Sequence, residues 1–176
     1  MKLDEAQKIT EGLIFAAPYP VSAHDLATIL ELEPVLVERI IERIREDFND
    51  KAIMIRNVAG GYQFVTRPEI APWIDKLGRP LVNAALSLAG LEALAIIAYK
   101  QPITKSEIEQ IRGVRSDSAI NTLMERELVV EMGRREGIGR PILYGTTDKF
   151  LMHFGLKSLE ELPSRPDFTK LGETVE

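Results

Sequence analysis

The sequence has 176 residues, and its 45% hydrophobic and 28% charged side chains are typical of a globular protein rather than a disordered one. A formal net charge of -5 argues against a surface covered with positive charge for nucleic acid. The absence of cysteine excludes disulfides, thiolate nucleophiles and cysteine-bound metals. No apolar run reaches the roughly 20 residues of a membrane span, and the N-terminus does not resemble a secretory signal. We therefore expect a cytoplasmic protein with no membrane partner.

Helical periodicity, followed by strand periodicity, organises the first part of the chain. The first helix is predicted to bury a stripe of Leu3, Ala6, Ile9, Leu13 and Ala17. Ser22 is suited to cap a second helix with the apolar residues Leu26, Ile29 and Leu30. Pro34 suits the first turn of a third helix, whose predicted core residues are Val37, Ile40, Ile41, Ile44 and Phe48. Alternation from Ile53 to Thr66, interrupted by Gly60 and Gly61, predicts a β-hairpin.

The same order of elements returns in the second part. Ser87 is the predicted cap of a helix that ends at Tyr99. The four residues Thr104–Glu107 form a capping box for the next helix, which Gly113 ends. Ser116 begins the third helix, and the two strands are predicted at residues 128–130 and 141–146, with a loop at 137–139 between them.

An internal repeat relates these two parts. Ile14–Ser22 aligns with Ile96–Thr104 at an offset of 82, which also relates Tyr62 to Tyr144. The alternative is chance similarity between two short helices, but a unit of this size indicates a duplicated domain. Three helices and a hairpin make a winged helix-turn-helix, so we predict two in tandem: a mainly α fold with small β-hairpins (α+β). The predicted domains are 1–79 and 87–163, with a linker at 80–86 and a polar, disordered tail at 164–176.

The sequence offers no candidate for enzymatic chemistry. His24 and His153 fall in different copies and lack metal-ligand spacing. The run Gly137–Gly139 lacks the third glycine of a dinucleotide-binding loop and opens no helix. We therefore expect no enzymatic activity, no cofactor and no metal.

The charges on the predicted third helices disfavour DNA binding. Residues 33–49 carry five acidic and three basic side chains, and residues 116–127 carry three acidic and one basic. Contacts to phosphate supply much of the affinity for DNA, so acidic recognition helices bind it poorly. The one basic cluster, in the second wing, either touches a phosphate backbone or is a solvated hairpin paired with Glu136; it consists of Arg134, Arg135 and Arg140. A winged-helix transcription regulator that binds DNA is therefore the alternative function.

Two helices carry more apolar surface than a small domain can easily cover. Residues 93–98 are hydrophobic around the whole helix, and residues 13–17 behave similarly. Either part of this surface faces another chain, or each helix is the centre of its own core.

Several long and specific runs in the second half carry a family resemblance. They are Leu91–Thr104, Glu107–Val114, Gly139–Thr147, Phe150–Leu151 and Phe154–Leu159. Through them, and more weakly through the first half, residues 1–163 resemble the segregation and condensation protein B family of bacterial chromosome organisation. Glu127 departs from the family pattern, which usually has a helix-ending glycine there, and Gly90 stands where alanine is common.

The resemblance implies a tandem winged-helix subunit that acts in chromosome condensation and segregation during cell division. Such a subunit forms a homodimer, usually through its first domain, and binds the kleisin subunit and through it the SMC ATPase on the nucleoid. Direct contact with DNA is then absent or weak. The expected dimer anchors are Leu13, Phe15 and Tyr19. The expected kleisin contacts are Tyr99, Arg140, Pro141 and Tyr144, although Tyr144 is equally suited to the core of the wing.

Overall fold

Two units of the chain each build a hydrophobic core of their own. The computed structural model describes residues 2–77 and 85–164. The chain divides into Met1–Val82 and Asn83–Glu176. Most of the predicted linker at 80–86 and of the predicted tail at 164–176 lies outside the described residues. Within the described ranges, no helix is both long enough and apolar enough to cross a membrane.

Three helices surround the aliphatic core of the first unit: α1 (Leu3–Ala16), α2 (Ala23–Leu30) and α3 (Pro34–Asp47). The Ser22 hydroxyl accepts a hydrogen bond from the Asp25 N–H at 3.0 Å and caps α2, as predicted. Pro34 lies in the first turn of α3, where its missing N–H has no helical partner to lose. Four of the five predicted core residues of α3 are confirmed, since no side chain among Val37, Ile40, Ile41 and Ile44 is more than 1% exposed. The fifth, Phe48, is half-buried and packs against this core.

The prediction of the buried side of α1 is wrong, because the side that is buried is rotated about the helix axis by part of a turn. Leu3 and Ile9 are 47% and 40% exposed, and the buried residues are Ala6, Gln7, Thr10 and Ile14. Gln7 Nε2 donates to Asp47 Oδ2 at 2.6 Å, and Thr10 Oγ1 donates to the Ala6 carbonyl at 2.8 Å. Because these polar groups are hydrogen-bonded, their burial carries little penalty, and hydrophobicity alone misplaced the face.

The short helix α2 also departs from its prediction. It buries Leu26, Ala27 and Leu30, whereas Ile29 is 57% exposed. Successive residues of a helix are about 100° apart, so the narrow face that holds the three buried residues turns Ile29 towards solvent.

A two-stranded antiparallel hairpin completes the first unit, as predicted. Strand β1 (Ile53–Val58) pairs with β2 (Gly61–Thr66), and Ile55 lies opposite Phe64. The prediction missed two short elements after the hairpin, a 3-10 turn at Pro68–Ile70 and the helix α4 (Ala71–Asp75). No residue of either element is buried.

The second unit repeats the three helices: α5 (Leu88–Lys100), α6 (Lys105–Arg112) and α7 (Asp117–Glu125). The predicted caps are present at Ser87, at Thr104 with Glu107, and at Gly113 in the left-handed conformation. Helix α5 is the centre of its own core, because none of Ala93, Leu94, Ile96 and Ile97 is more than 2% exposed. A further helix, α8 (Asp148–Phe154), follows the wing and contributes Phe150 to this core.

Three strands form the sheet of the second unit in the order β3-β5-β4. They are β3 (Ile103–Thr104), β4 (Val129–Arg134) and β5 (Ile142–Thr146). Strand β4 runs four residues beyond the predicted end, because backbone pairing with β5 extends past its single buried residue, Val129. Ile103 pairs with Tyr144, and the isolated bridge between Val21 and Tyr62 is the same pair one repeat earlier, at the offset of 82. The predicted fold class, winged-helix units of mainly α character, is confirmed.

Glu127 occupies the position where the family resemblance places a glycine, and the backbone turns there regardless. Its φ of 59° is left-handed, a conformation that costs an L-residue roughly 1–2 kcal/mol. The Glu127 N–H donates to the Met124 carbonyl at 2.8 Å, and the Leu128 N–H donates to the Leu123 carbonyl at 2.9 Å. These bonds end α7 and direct the chain into β4.

Candidate protein-binding surfaces

The three expected dimer anchors lie at the end of α1 and just after it. Phe15 and Tyr19 are 78% and 67% exposed, although an aromatic ring is among the largest apolar groups a protein can bury. Leu13 is half-buried and packs against the core of the first unit. Two of the three residues are therefore exposed and able to contact a partner, whereas Leu13 packs into the first unit.

Tyr99 lies near the end of α5 and is half-buried. It lines an apolar hollow of about 350 Å³ between α5, α8 and the chain that follows α8. The other lining residues include Leu94, Ala98, Phe150 and Leu162. A second hollow, of about 280 Å³, shares Leu91 and Phe154 with the first and adds the basic side chains Arg126, Lys149 and His153. No local sequence pattern indicates this pair of hollows, because they form only when α8 packs on α5.

The other expected kleisin contacts lie on the wing, in a different place. Arg140 is exposed at the turn between β4 and β5, with φ at 39°. Pro141 and Tyr144 line a hollow of about 420 Å³ beside α6 that does not include Tyr99. Tyr144 is only 8% exposed and belongs to the core, and this burial raises the pKa of its hydroxyl. Most of the Tyr144 ring therefore belongs to the core of the wing, which was the alternative to a kleisin contact.

The arginines of the second wing do not pair with the neighbouring Glu136, which was one of the two arrangements that the sequence left open. Arg135 binds Glu107 on α6 in a two-pronged ion pair, with Nη1–Oε1 at 2.8 Å and Nη2–Oε2 at 3.0 Å, rather than Glu136. The guanidinium of Arg135, together with the Thr104 N–H at 2.9 Å, lowers the pKa of Glu107 to about 2. Arg134 donates to the Arg140 carbonyl at 3.1 Å. The ion pair therefore fixes the loop end of the wing, just after β4, on the cap of α6.

The exposed side of α3 is a poor surface for phosphate. Three glutamates and two arginines line a hollow of about 610 Å³ together with Val35 and Tyr62. Arg43 is already paired with Asp4 at 2.9 Å, and Arg45 with Glu42 at 2.5 Å. Burial, and then the charge of Glu38, raise the pKa of the Tyr62 hydroxyl. A polyanion would meet a surface whose unpaired charge is mainly negative.

The remaining side chains give no chemical centre in the part of the chain that the structure describes. No group of three or more His, Asp or Glu residues there is arranged to hold a metal. His24 is exposed in the first turn of α2, and His153 lies on α8 with its ring 5.1 Å from that of Phe154.

The model of one protein family, described as segregation and condensation complex subunit ScpB, matches residues 8–165. A segregation and condensation protein B of Desulforamulus reducens is 46% identical over 175 residues, which cover 98% of this chain and 96% of the relative. A protein of the same name from Moorella thermoacetica is 50% identical over 166 residues, covering 93% and 85%.

Two solved structures are also similar in sequence. ScpB from Mycobacterium tuberculosis is 30% identical, covers 89% of this chain and 98% of its own, and gives a TM-score of 0.43. A dimer of a ScpB N-terminal domain complexed with a ScpA peptide is 29% identical, covers 43% of this chain and 96% of its own, and gives a TM-score of 0.41. The family match and the two bacterial relatives confirm the resemblance read from the sequence: this chain belongs to the family of the segregation and condensation complex subunit ScpB.

Proposed function

We propose that this protein is a non-enzymatic scaffold subunit of a condensin-like SMC–kleisin complex, and that it binds the kleisin as a homodimer. Membership of a family described as a complex subunit supports a binding role in chromosome condensation and segregation. The observation that carries the proposal is the exposed apolar surface: Phe15 and Tyr19 on the first unit and the hollow around Tyr99 on the second. Surfaces of this kind serve protein partners.

In this proposal the first unit forms the dimer and the second unit binds the kleisin. Phe15 and Tyr19 anchor the dimer through the first unit, with Leu13 holding the end of α1 in place. The second unit binds the kleisin with Tyr99 and with the wing residues Arg140, Pro141 and the accessible edge of Tyr144. The hollow at Tyr99 and the hollow on the wing are separate, so one kleisin segment touches both only if it crosses the unit.

The chemical role that we assign to this chain is binding alone. The ATPase activity of the complex belongs to the SMC subunit, which this chain reaches through the kleisin. Its place in the cell is then the nucleoid. The charge on α3 opposes a direct, tight contact with DNA.

A DNA-binding transcription regulator is the alternative, and one observation on the wing favours it. Among the described residues, neither Arg134 nor Arg140 forms an ion pair with a carboxylate. A regulator predicts tight binding to a defined duplex with steep salt dependence. The scaffold predicts weak, sequence-independent binding at most, because only these two arginines are available there.

Molar mass by light scattering during size exclusion tests the proposal directly. The protein is measured alone and after mixing with the middle segment of the cognate kleisin. We expect a dimer that gains the mass of a kleisin segment. A chain that stays at its own mass after mixing contradicts kleisin binding, and a titration with duplex DNA then decides for or against the regulator.

Reversal of one charge tests the wing. Arg140→Glu is expected to weaken kleisin binding without changing the thermal midpoint, because the side chain is exposed and makes no ion pair among the described residues. Arg115→Glu, an equal charge reversal at an exposed position in the turn before α7, is the matched control. Equal kleisin affinity in the two variants removes Arg140 from the interface.

A further inference from the structure

The segment after the hairpin of the first unit carries an apolar stripe that stays largely exposed among residues 2–77. Ile70, Trp73, Ile74 and Leu77 are spaced at i, i+3, i+4 and i+7, which places them on one side of a helix. Trp73 is 64% exposed, Leu77 is 70% exposed and Ile74 is 39% exposed. The spacing of this stripe is readable in the sequence but was not used, because the segment is short and follows the last predicted element of the first domain.

The root of this segment is held firmly, so the stripe is presented at a defined place. The Arg67 side chain donates to the carbonyls of Lys51 at 2.8 Å, Phe48 at 3.1 Å and Asn49 at 2.6 Å. The Arg67 N–H donates to the Ala52 carbonyl at 2.9 Å. These bonds tie the start of the segment to the C-terminal cap of α3 at Phe48, where a positive charge is also favourable for the helix dipole, and to the turn that follows the helix.

Helical turns this short are not stable in water without a surface to pack on. Isolated helices need roughly 12–15 residues before they form appreciably, and α4 has 5. Most of the stability of such an element comes from burying its apolar side. Within residues 2–77 no surface covers Trp73 and Leu77, so the stripe lacks there the contact that would stabilise it.

The area required by a dimer indicates what covers the stripe. A standard interface buries roughly 800 Å² on each partner. Phe15 and Tyr19, each with roughly 150–250 Å² of surface and about seven tenths of it exposed, supply no more than about 350 Å². The other exposed large apolar side chains in the described part of this unit are scattered singly over α1, α2 and α3: Leu3, Ile9, Ile29 and Val35. Trp73, Ile74 and Leu77 instead lie together on one short segment, and they bring the total close to what a dimer needs.

The charges near the stripe suit contact with a second copy. Glu69 and Asp75 are acidic and Lys76 is basic, and the Lys76 ammonium lies 4.3 Å from the centre of the Trp73 ring. In a two-fold dimer each patch meets the same chain, so a strongly one-signed patch would repel itself. The mixed signs here avoid this repulsion.

We propose that the stripe formed by Ile70, Trp73, Ile74 and Leu77 is part of the dimer interface and packs on the first unit of a second copy of this chain. The inference rests on the homodimer of the proposed function and adds a surface that Leu13, Phe15 and Tyr19 do not include. Trp73 is its central anchor.

The test compares two leucine-to-glutamate variants with almost equal starting exposure. Leu77→Glu places a charge in the stripe, whereas Leu88→Glu changes a 73% exposed leucine in the first turn of α5, where an acidic side chain suits the helix. Dimer dissociation is measured by sedimentation of the full chain over a dilution series. We expect Leu77→Glu to raise the dissociation constant more than about 100-fold, because the apolar burial is lost on both protomers. Leu88→Glu should behave as the wild type.

Fluorescence gives an independent reading, because Trp73 is the one tryptophan of the chain. Its emission should shift to shorter wavelength as the wild-type dimer forms and should stay at longer wavelength in Leu77→Glu. A wild-type dimer that Leu77→Glu leaves intact overturns the inference and keeps the homodimer. A lower thermal midpoint for Leu77→Glu with unchanged mass also overturns it, since the stripe is then covered within its own chain. A wild type that is monomeric throughout contradicts the proposed homodimer itself.

Discussion

Replacing Glu107 with glutamine separates two roles that one carboxylate combines. Its oxygens accept hydrogen bonds from the Thr104 N–H at 2.9 Å and the Thr104 hydroxyl at 2.8 Å, which completes the cap of α6. They also hold the Arg135 guanidinium at the loop end of the wing. A glutamine keeps an oxygen for the cap, because both Glu and Gln serve in a capping box, but it loses the charge.

The pKa of Glu107 sets the expected size of the effect. Its fall from 4.5 to about 2 corresponds to roughly 3 kcal/mol if taken without screening. The Glu107 and Arg135 side chains are 39% and 44% exposed, so solvent reduces this to about 1 kcal/mol. Because ionisation favours the folded state, the contribution is complete above the ordinary pKa of 4.5 and is lost as the pH falls towards 2.

Urea unfolding followed by circular dichroism at several pH values measures this. We expect Glu107→Gln to lower the free energy of unfolding by about 1 kcal/mol at pH 7. The difference from wild type should shrink as the pH falls from 5 towards 2. Glu136→Gln, on the same wing, is the control and should have no effect, since Arg135 does not pair with it. A difference that does not change with pH would refute the electrostatic reasoning. An effect of Glu136→Gln on the free energy of unfolding would indicate that Arg135 pairs with Glu136.

Two further substitutions test how each unit is held together. Gly61→Ala would place its methyl carbon 2.8 Å from the carbonyl carbon of Pro20, which is backbone and cannot move aside, so we expect a loss of about 1–3 kcal/mol in urea unfolding. Gly12→Ala on α1 is the control, because an added methyl carbon there meets nothing within 4 Å and alanine favours the helix, so an equal loss at Gly12 would contradict the close-contact argument. Arg112→Met should cost about 2 kcal/mol, because this arginine is 5% exposed and binds Glu92 on α5 at 3.0 Å. A thermal midpoint equal to the wild type would show that the pair contributes nothing.

The repeated helices and hairpins were predictable because their signals are local. Ser87, Thr104 with Glu107, and Gly113 mark helix ends by the hydrogen bonds that their own backbone neighbours need, and each was found where predicted. The core face of α3 was equally readable, since its isoleucines follow one period. In contrast, β4 was predicted too short, because its outer residues are exposed and only pairing with β5 identifies them as a strand.

The candidate surfaces depended more strongly on tertiary structure. The sequence singled out Phe15, Tyr19 and Tyr99 by residue type, but only packing decides that the first two face solvent and the third lines a hollow under α8. The partner of Arg135 lies 28 residues away, beyond the reach of any local pattern.

The sequence by itself determined the duplicated winged-helix order, the family and the lack of cysteine chemistry, since all three are written in spacing and composition. Tertiary structure alone decided which apolar residues remain exposed. Helical spacing describes Leu3, Ile9 and the stripe at Trp73 in the same way as it describes buried residues. Burial depends on what the rest of the chain places against a helix face, and that information is not contained in the helix.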